Sequence, residues 1–146
     1  MVVVLVALLV VAACGGVAVT PPAPTPADMT GIATELTTRG LTLARLVSGD
    51  AGCDDPVLIP TAIGFDASGL DQAEPVRLRI YIFRNREAFE RLRASVEQCA
   101  RSYVTDPEAY EEVARSPYVL VAVGPWPPQF EAAVREALEV AAGNGD

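Results

Sequence analysis

The sequence predicts an α+β domain of two layers, in which a mainly antiparallel four-stranded sheet carries helices on one face. Residues 76–83 alternate aliphatic with polar or aromatic side chains, the period of a strand that is buried on one side. Residues 85–103 repeat apolar side chains at intervals of three and four, the period of an amphipathic helix. Helical and strand patterns are mixed along the chain, which favours the α+β class.

The first elements follow from capping and turn residues. A helix is predicted over residues 29–39, with Asp28 or Thr30 as its N-cap. Residues 41–47 are aliphatic and β-branched and predict a strand. Residues 54–60 combine two acids with proline, which is typical of a short helical turn.

The next two strands are predicted over residues 61–68 and 76–83. They form a β-hairpin with a long polar connection that includes Pro75. The aliphatic side chains of the second strand share one face, which we expect to meet the helices: Val76, Leu78, Ile80 and Ile82.

The C-terminal part predicts three helices and one strand. The amphipathic helix over residues 85–103 is followed by a short helix over residues 106–115, which begins at an Asp-Pro-Glu sequence. Residues 118–123 predict the last strand. A stiff turn at residues 124–128 leads into a final helix that ends at Gly143.

The predicted element order is helix, then β-α-β-β-α-β, then helix. This order is compatible with a ferredoxin-like arrangement that has an extra helix at each end. The first crossover is barely long enough to join parallel strands, so a simple antiparallel sheet with helices on one face is the alternative.

The composition excludes several kinds of chemistry. The chain has 146 residues, 19 of them acidic and 11 basic, and it contains no histidine. Every basic residue is an arginine, so lysine Schiff bases, phosphate-loop lysines, histidine triads and histidine zinc sites are absent by composition. The net charge of -8 argues against nucleic-acid binding, which depends on clustered cations. No cofactor is predicted.

The N-terminal stretch before Asp28 carries no charge and begins with an apolar run over residues 2–11. Such a run has the length of a signal-peptide hydrophobic region and is shorter than a membrane span. It leads into the sequence Val11-Ala12-Ala13-Cys14-Gly15. This sequence resembles the lipobox of bacterial lipoproteins, in which an aliphatic residue and two small residues precede the lipidated cysteine.

The resemblance implies a processed and exported protein. Residues 1–13 would be a signal peptide, Cys14 would carry the lipid, and residues 14–27 would be a proline-rich tether. Residues 28–146 would form a single domain at the outer face of the bacterial cell membrane. The alternative is a signal-anchor helix over residues 2–19, which also exports the rest of the chain.

Two further cysteines remain if Cys14 is lipidated. An even number of thiols in an oxidising compartment predicts a disulfide between Cys53 and Cys99. Two buried free thiols are the alternative. A metal site would have to recruit carboxylates such as Asp54 and Asp55, and none is predicted.

A candidate interaction face lies on the non-core side of the third predicted strand. It carries Arg77, Arg79 and Tyr81, and Tyr118 and Leu120 of the last strand are expected to join it. Arginine and tyrosine are typical of binding surfaces. The simpler interpretation is a solvated face whose arginines pair with acids of neighbouring strands.

Trp126, which lies between two prolines, either stacks on a ligand or anchors the last helix to the sheet. No catalytic residues are predicted, because adjacent acids such as Asp54 and Asp55 at a helix start usually act as caps. We therefore expect a non-catalytic binding or assembly module with an unknown protein or small-molecule partner. The alternatives are a small envelope hydrolase that uses carboxylates, including Asp66, and an inhibitor or immunity-type lipoprotein.

Overall fold

The structure is a computed structural model that describes residues 28–143. The predicted signal peptide, Cys14 and the proline-rich tether therefore lie outside the described residues. The elements are α1 (Met29–Thr38), β1 (Thr42–Ser48), β2 (Ala62–Gly69), β3 (Gln72–Ile82), α2 (Arg86–Ala100), β4 (Tyr110–Arg115), β5 (Tyr118–Val123) and α3 (Pro128–Ala142). Short 3₁₀ turns at Ile59–Thr61 and Pro107–Ala109 precede β2 and β4.

The α+β class and the antiparallel sheet are confirmed. The strand order is β1-β2-β3-β5-β4, and every neighbouring pair is antiparallel. Because the consecutive strands β1, β2 and β3 are neighbours, the order corresponds to the simple antiparallel alternative. Asp28 and Asn85 cap α1 and α2, since their side chains accept hydrogen bonds from the backbone amides of Gly31 and Ala88.

The sheet has five strands, not the predicted four. The prediction of a helix over residues 106–115 is wrong, because the helical turn ends at Ala109 and β4 follows at once. Val113 is buried opposite Leu120, and a turn at Ser116-Pro117 joins β4 to β5. Burial of Val113 in the core thus overrides the helix-start sequence.

The β2–β3 hairpin is tighter than predicted. Only Leu70 and Asp71 separate the two strands, and Pro75 lies inside β3. Proline is tolerated there because β5 pairs only with residues 78–82, which leaves Pro75 without a strand partner on that side. The carboxylate of Asp71 accepts hydrogen bonds from two backbone amides at the start of α3, so the hairpin turn also caps that helix.

Helices cover both faces of the sheet. α1 and α3 pack on one face, against the aliphatic side of β3 as predicted, while α2 packs on the other. The two-layer prediction placed all helices on one side. The third layer forms because β5 is apolar on both faces: Leu120 packs toward α3, and Val119 and Val121 pack toward α2.

The loop over residues 49–61, which we call the strap, lies on the same face as α2. The predicted disulfide between Cys53 and Cys99 is confirmed and ties the strap to α2, with a Cα–Cα distance of 5.6 Å. The Tyr81 hydroxyl donates to the Ala51 carbonyl at 2.7 Å. The strap is therefore fixed on the same face of the sheet as the arginines of β3.

Candidate functional site

Five charged side chains form a continuous row across β1, β2, β3 and the strap. We call this row the charged ladder. Its members alternate in sign and occur in the order Arg45, Asp66, Arg77, Asp50 and Arg79. Three cations and two anions give the ladder a local charge of opposite sign to that of the whole chain.

Strand register places the central members side by side. Asp66 of β2 lies opposite Arg77 of β3, and Gly64 lies opposite Arg79. These positions share one face of the sheet because side chains alternate along a strand. The Arg77 guanidinium donates to Asp66 at 3.2 Å and to Asp50 at 3.1 Å.

Arg45 reaches the ladder through a β-bulge. The register between β1 and β2 shifts between Ala44 and Val47, and Arg45 has a φ of +50°. A residue with a Cβ atom is strained by roughly 1–2 kcal/mol in this left-handed backbone conformation. The bulge turns the Arg45 side chain onto the face of Asp66, and Arg77 donates to the Arg45 carbonyl at 2.9 Å.

Asp66 is the only charged residue buried within residues 28–143, with 3% of its surface exposed. Burial raises the pKa of its carboxyl, but hydrogen bonds from Arg45 and Arg77 outweigh burial and hold the pKa below its ordinary value. The carboxylate is therefore ionised and shared by two guanidinium groups.

Asp50 extends the ladder from the strap. Its carboxylate accepts from Arg77 and, at 3.0 Å, from Arg79. Burial raises the pKa of Asp50, and these hydrogen bonds lower it further than burial raises it. Glycine is needed at position 64, below the Asp50 side chain, because a Cβ there would overlap the Asp50 carboxylate. Arg79 also stacks on the Tyr103 ring, with 4.2 Å between its Cζ and the ring centroid.

An open depression of about 450 Å³ lies at the Arg45 end of the ladder. It is lined by Arg45, Val47, Asp66, Pro75 and Arg77. The lining combines two cations, one anion and two apolar walls. The depression is therefore a positively charged spot on an acidic protein.

The structure divides the sequence-predicted interaction face. Arg77 and Arg79 belong to the charged ladder. The simpler interpretation expected acids of neighbouring strands, which is the case for Asp66 of β2, whereas Asp50 comes from the strap. Tyr81 points to the same face, but it is fully buried beneath the strap. Burial and the neighbouring Tyr103 hydroxyl raise the pKa of Tyr81 far above its ordinary value.

The remaining predicted residues lie on the opposite face. Tyr118 is paired with Ile82, so Tyr118 and Leu120 point toward α1 and α3, away from the arginines. Burial raises the pKa of Tyr118 to about 12, and its hydroxyl has no hydrogen-bond partner among residues 28–143. Trp126 is buried and packs edge-on against Phe130 with 5.7 Å between ring centroids, as expected of a helix anchor.

Sequence reasoning missed Arg45, Asp50 and Asp66 as members of the site. The polar face of β2 was visible in its alternation, which placed Asp66 away from the aliphatic face. Regular alternation along β1 places Arg45 on the other face, because a bulge leaves no clear signal in a strand without glycine. Asp55 closes a turn in the strap by accepting from the backbone amide of Val57 at 2.8 Å, whereas the 3₁₀ turn at Ile59–Thr61 has no side-chain cap.

Residues 28–143 contain no cluster of three or more side chains suited to hold a metal ion. No helix in this part of the chain is long and apolar enough to cross a membrane. Comparison with known proteins found no matching family model, no matching curated protein and no matching solved structure.

Proposed function

We propose that the chain is an exported, lipid-anchored protein of the bacterial cell envelope that acts as a non-catalytic binding module. The observation that carries the binding role is the charged ladder. A buried ionic network is often no more stabilising than apolar side chains of similar volume, and the backbone at Arg45 adds strain. A network that adds little stability, contains a strained backbone position and borders an open depression is best explained by recognition.

The disulfide supports export. Disulfides persist in oxidising compartments and are rare in the cytosol, and Cys53–Cys99 is formed in this fold. The lipobox-like sequence at Cys14 agrees with that compartment, so the lipid would hold the domain at the outer face of the cell membrane.

The state of the carboxylates favours binding over hydrolysis. A catalytic general acid needs a raised pKa, so that it is protonated near neutral pH. Asp50 and Asp66 have lowered pKa values because their hydrogen bonds with arginines outweigh burial. Their oxygens are already engaged by guanidinium groups, so neither acid is set up as a general acid.

Binding is tested by site-specific photo-crosslinking in the native envelope. A photoreactive residue at Val47 lines the depression, and one at Val140 on α3 is the matched control, since both valines are about half exposed. We expect one discrete adduct from Val47, identified by mass spectrometry, and none of the same mass from Val140. Identical products from both positions, or none from either, would contradict a partner bound at the depression.

Export and anchoring are tested by labelling cells with a palmitate analogue. We expect label on the wild type, none on Cys14→Ser, and release of that variant from the membrane fraction. The wild type should also migrate faster without reductant than with it, because of the Cys53–Cys99 bond. Label that persists on Cys14→Ser would exclude this anchor.

A further inference from the structure

We propose that the depression beside Arg45 is an anion site that takes a single carboxylate group, held by the Arg45 guanidinium. This inference rests on the proposed binding function and specifies the chemistry of the ligand. The carboxylate would come from an acidic protein segment or from a small organic acid, and both present the same planar group.

The first support is the unused side of the guanidinium. Arg45 contacts Asp66 through its Nε and Nη2 atoms. Its Nη1 atom has no hydrogen-bond partner in the part of the chain that the structure describes, and 77% of the side chain is exposed. A guanidinium has five N–H donors in a planar fork, so Arg45 can hold Asp66 on one edge and a second carboxylate on another.

The second support is preorganisation. An exposed arginine on a regular strand samples many rotamers and loses that freedom when it binds. Arg45 is held at its base by the β-bulge and at its head by the buried Asp66. The cost of ordering the side chain is therefore met by the fold, before any ligand arrives.

The third support is local charge. Arg45, Arg77 and Asp66 give the depression a net charge of one positive unit, whereas the whole chain carries -8. One carboxylate neutralises that charge, while a phosphate dianion would leave a net negative charge. Val47 and Pro75 form apolar walls beside the guanidinium, so they can contact the carbon atoms that carry the carboxylate.

The site is tested by nuclear magnetic resonance on the arginine Nε–H signals of the full chain. Acetate, inorganic phosphate and a tetraglutamate peptide are titrated against chloride at constant ionic strength, so that general screening cancels. We expect a saturable shift of the Arg45 signal with acetate and a smaller one with phosphate. Tighter binding of tetraglutamate than of acetate would indicate an acidic protein segment, and equal binding per carboxylate would indicate a small acid.

Two variants and a matched control separate the site from general electrostatics. The affinity of the variants is followed at the Nε–H signal of Arg77, which lines the same depression. Arg45→Gln should weaken acetate binding at least about tenfold, and Arg45→Lys should weaken it less, because charge remains but the fork is lost. Arg115 lies on the other edge strand, β4, so Arg115→Gln should change the affinity less than about twofold. Thermal melts of each variant confirm that it is folded before binding is compared.

Failure of the site and failure of the proposed function give different results. No saturable shift at Arg45, tighter binding of phosphate than of acetate, or equal losses in Arg45→Gln and Arg115→Gln would overturn the anion site. A Val47 adduct that persists in Arg45→Gln would keep the binding function and reject its carboxylate chemistry. Carboxylate binding without any Val47 adduct would reject the proposed partner interaction and keep the site.

Discussion

The two faces of the sheet are built from the same strands but differ in chemistry. Toward α1 and α3, the strands present apolar side chains across the sheet, from Phe65 through Ile80 to Leu120. Toward α2, the face is apolar at β5 and at the paired positions Ala62 and Tyr81 of β2 and β3, and elsewhere across β1, β2 and β3 it carries the charged ladder. One face is a continuous core, and the other is divided between core and ion pairs.

This difference separates stability from recognition. Removal of apolar surface from water stabilises the fold by about 25 cal/mol per Å², whereas ion pairs that are partly exposed contribute little. The face toward α1 and α3 should therefore dominate the free energy of unfolding. The ladder should contribute less, but substitutions in it should change ligand binding.

The largest effect is expected on the apolar face. Phe130→Ala removes a fully buried ring that packs edge-on against Trp126, so it should lower the free energy of unfolding by about 3–5 kcal/mol. Urea denaturation measures this value. Val140→Ala, an exposed position on the same helix, should change it by less than about 0.5 kcal/mol. A loss below about 1 kcal/mol at Phe130 would show that this face is not the dominant core.

The Cys53–Cys99 disulfide ties the strap to α2 on the face that is divided between core and ion pairs. Its removal should have the next largest effect on the free energy of unfolding. Cys53→Ser with Cys99→Ser opens a loop closed over 46 positions, which should lower the free energy of unfolding by about 2–4 kcal/mol. Backbone hydrogen exchange should increase first in the strap. The disulfide holds the strap in place, and the hydrogen bond of Ala51 and the ion pair of Asp50 depend on that position. Val57→Ser, an exposed change in the same strap, should leave both measurements near the wild-type values.

Local patterns predicted most elements, but they did not predict the ladder. The caps Asp28 and Asn85 and the amphipathic α2 follow from short-range residue chemistry, and the Cys53–Cys99 pair follows from the cysteine count. β4 was missed because its first residues follow a helix-start signal, and only pairing with β5 reveals a strand. The arginine face was found on β3, whereas its acidic partners depend on register.

Arg45 shows most clearly why the rest could not be predicted. Its place in the site depends on a one-residue bulge between Ala44 and Val47, and a one-residue shift moves a side chain to the other face of a sheet. Strand propensity contains no information on that shift. The same limit explains why Tyr118 was grouped with the arginines, although its pairing with Ile82 places it in the opposite core.

A smaller effect that depends on pH is expected at Asp66. Asp66→Asn leaves Arg45 without a charged partner among the described residues and leaves Arg77 with Asp50 alone, so it should cost about 1–3 kcal/mol of unfolding free energy at pH 7. Hydrogen bonds with arginines hold the folded pKa of Asp66 below its ordinary value despite burial. The unfolded carboxyl therefore binds protons at a higher pH than the folded one, and folding is favoured by ionisation.

The sign of this effect is checked by urea denaturation across pH. The contribution is complete above the unfolded pKa of about 3.9 and is lost as the pH falls through the lower folded pKa. The stability difference between wild type and Asp66→Asn should thus be constant from about pH 5 to 7 and narrow below about pH 4. A difference that widens in acid would show that Asp66 is not held ionised by the ladder.

The smallest effect on stability, and the sharpest separation of the two roles, is expected at Arg45. Arg45→Gly and Arg45→Ala both lose an ion pair in which the arginine is mostly exposed, which should cost at most about 1 kcal/mol. Glycine relieves the positive φ of +50°, whereas alanine keeps the strain. Arg45→Gly should therefore be more stable than Arg45→Ala by about 1 kcal/mol, the reverse of the order in a regular strand. Both variants should lose carboxylate binding equally, because both lack the guanidinium. A glycine variant that is less stable than the alanine variant would contradict backbone strain at position 45.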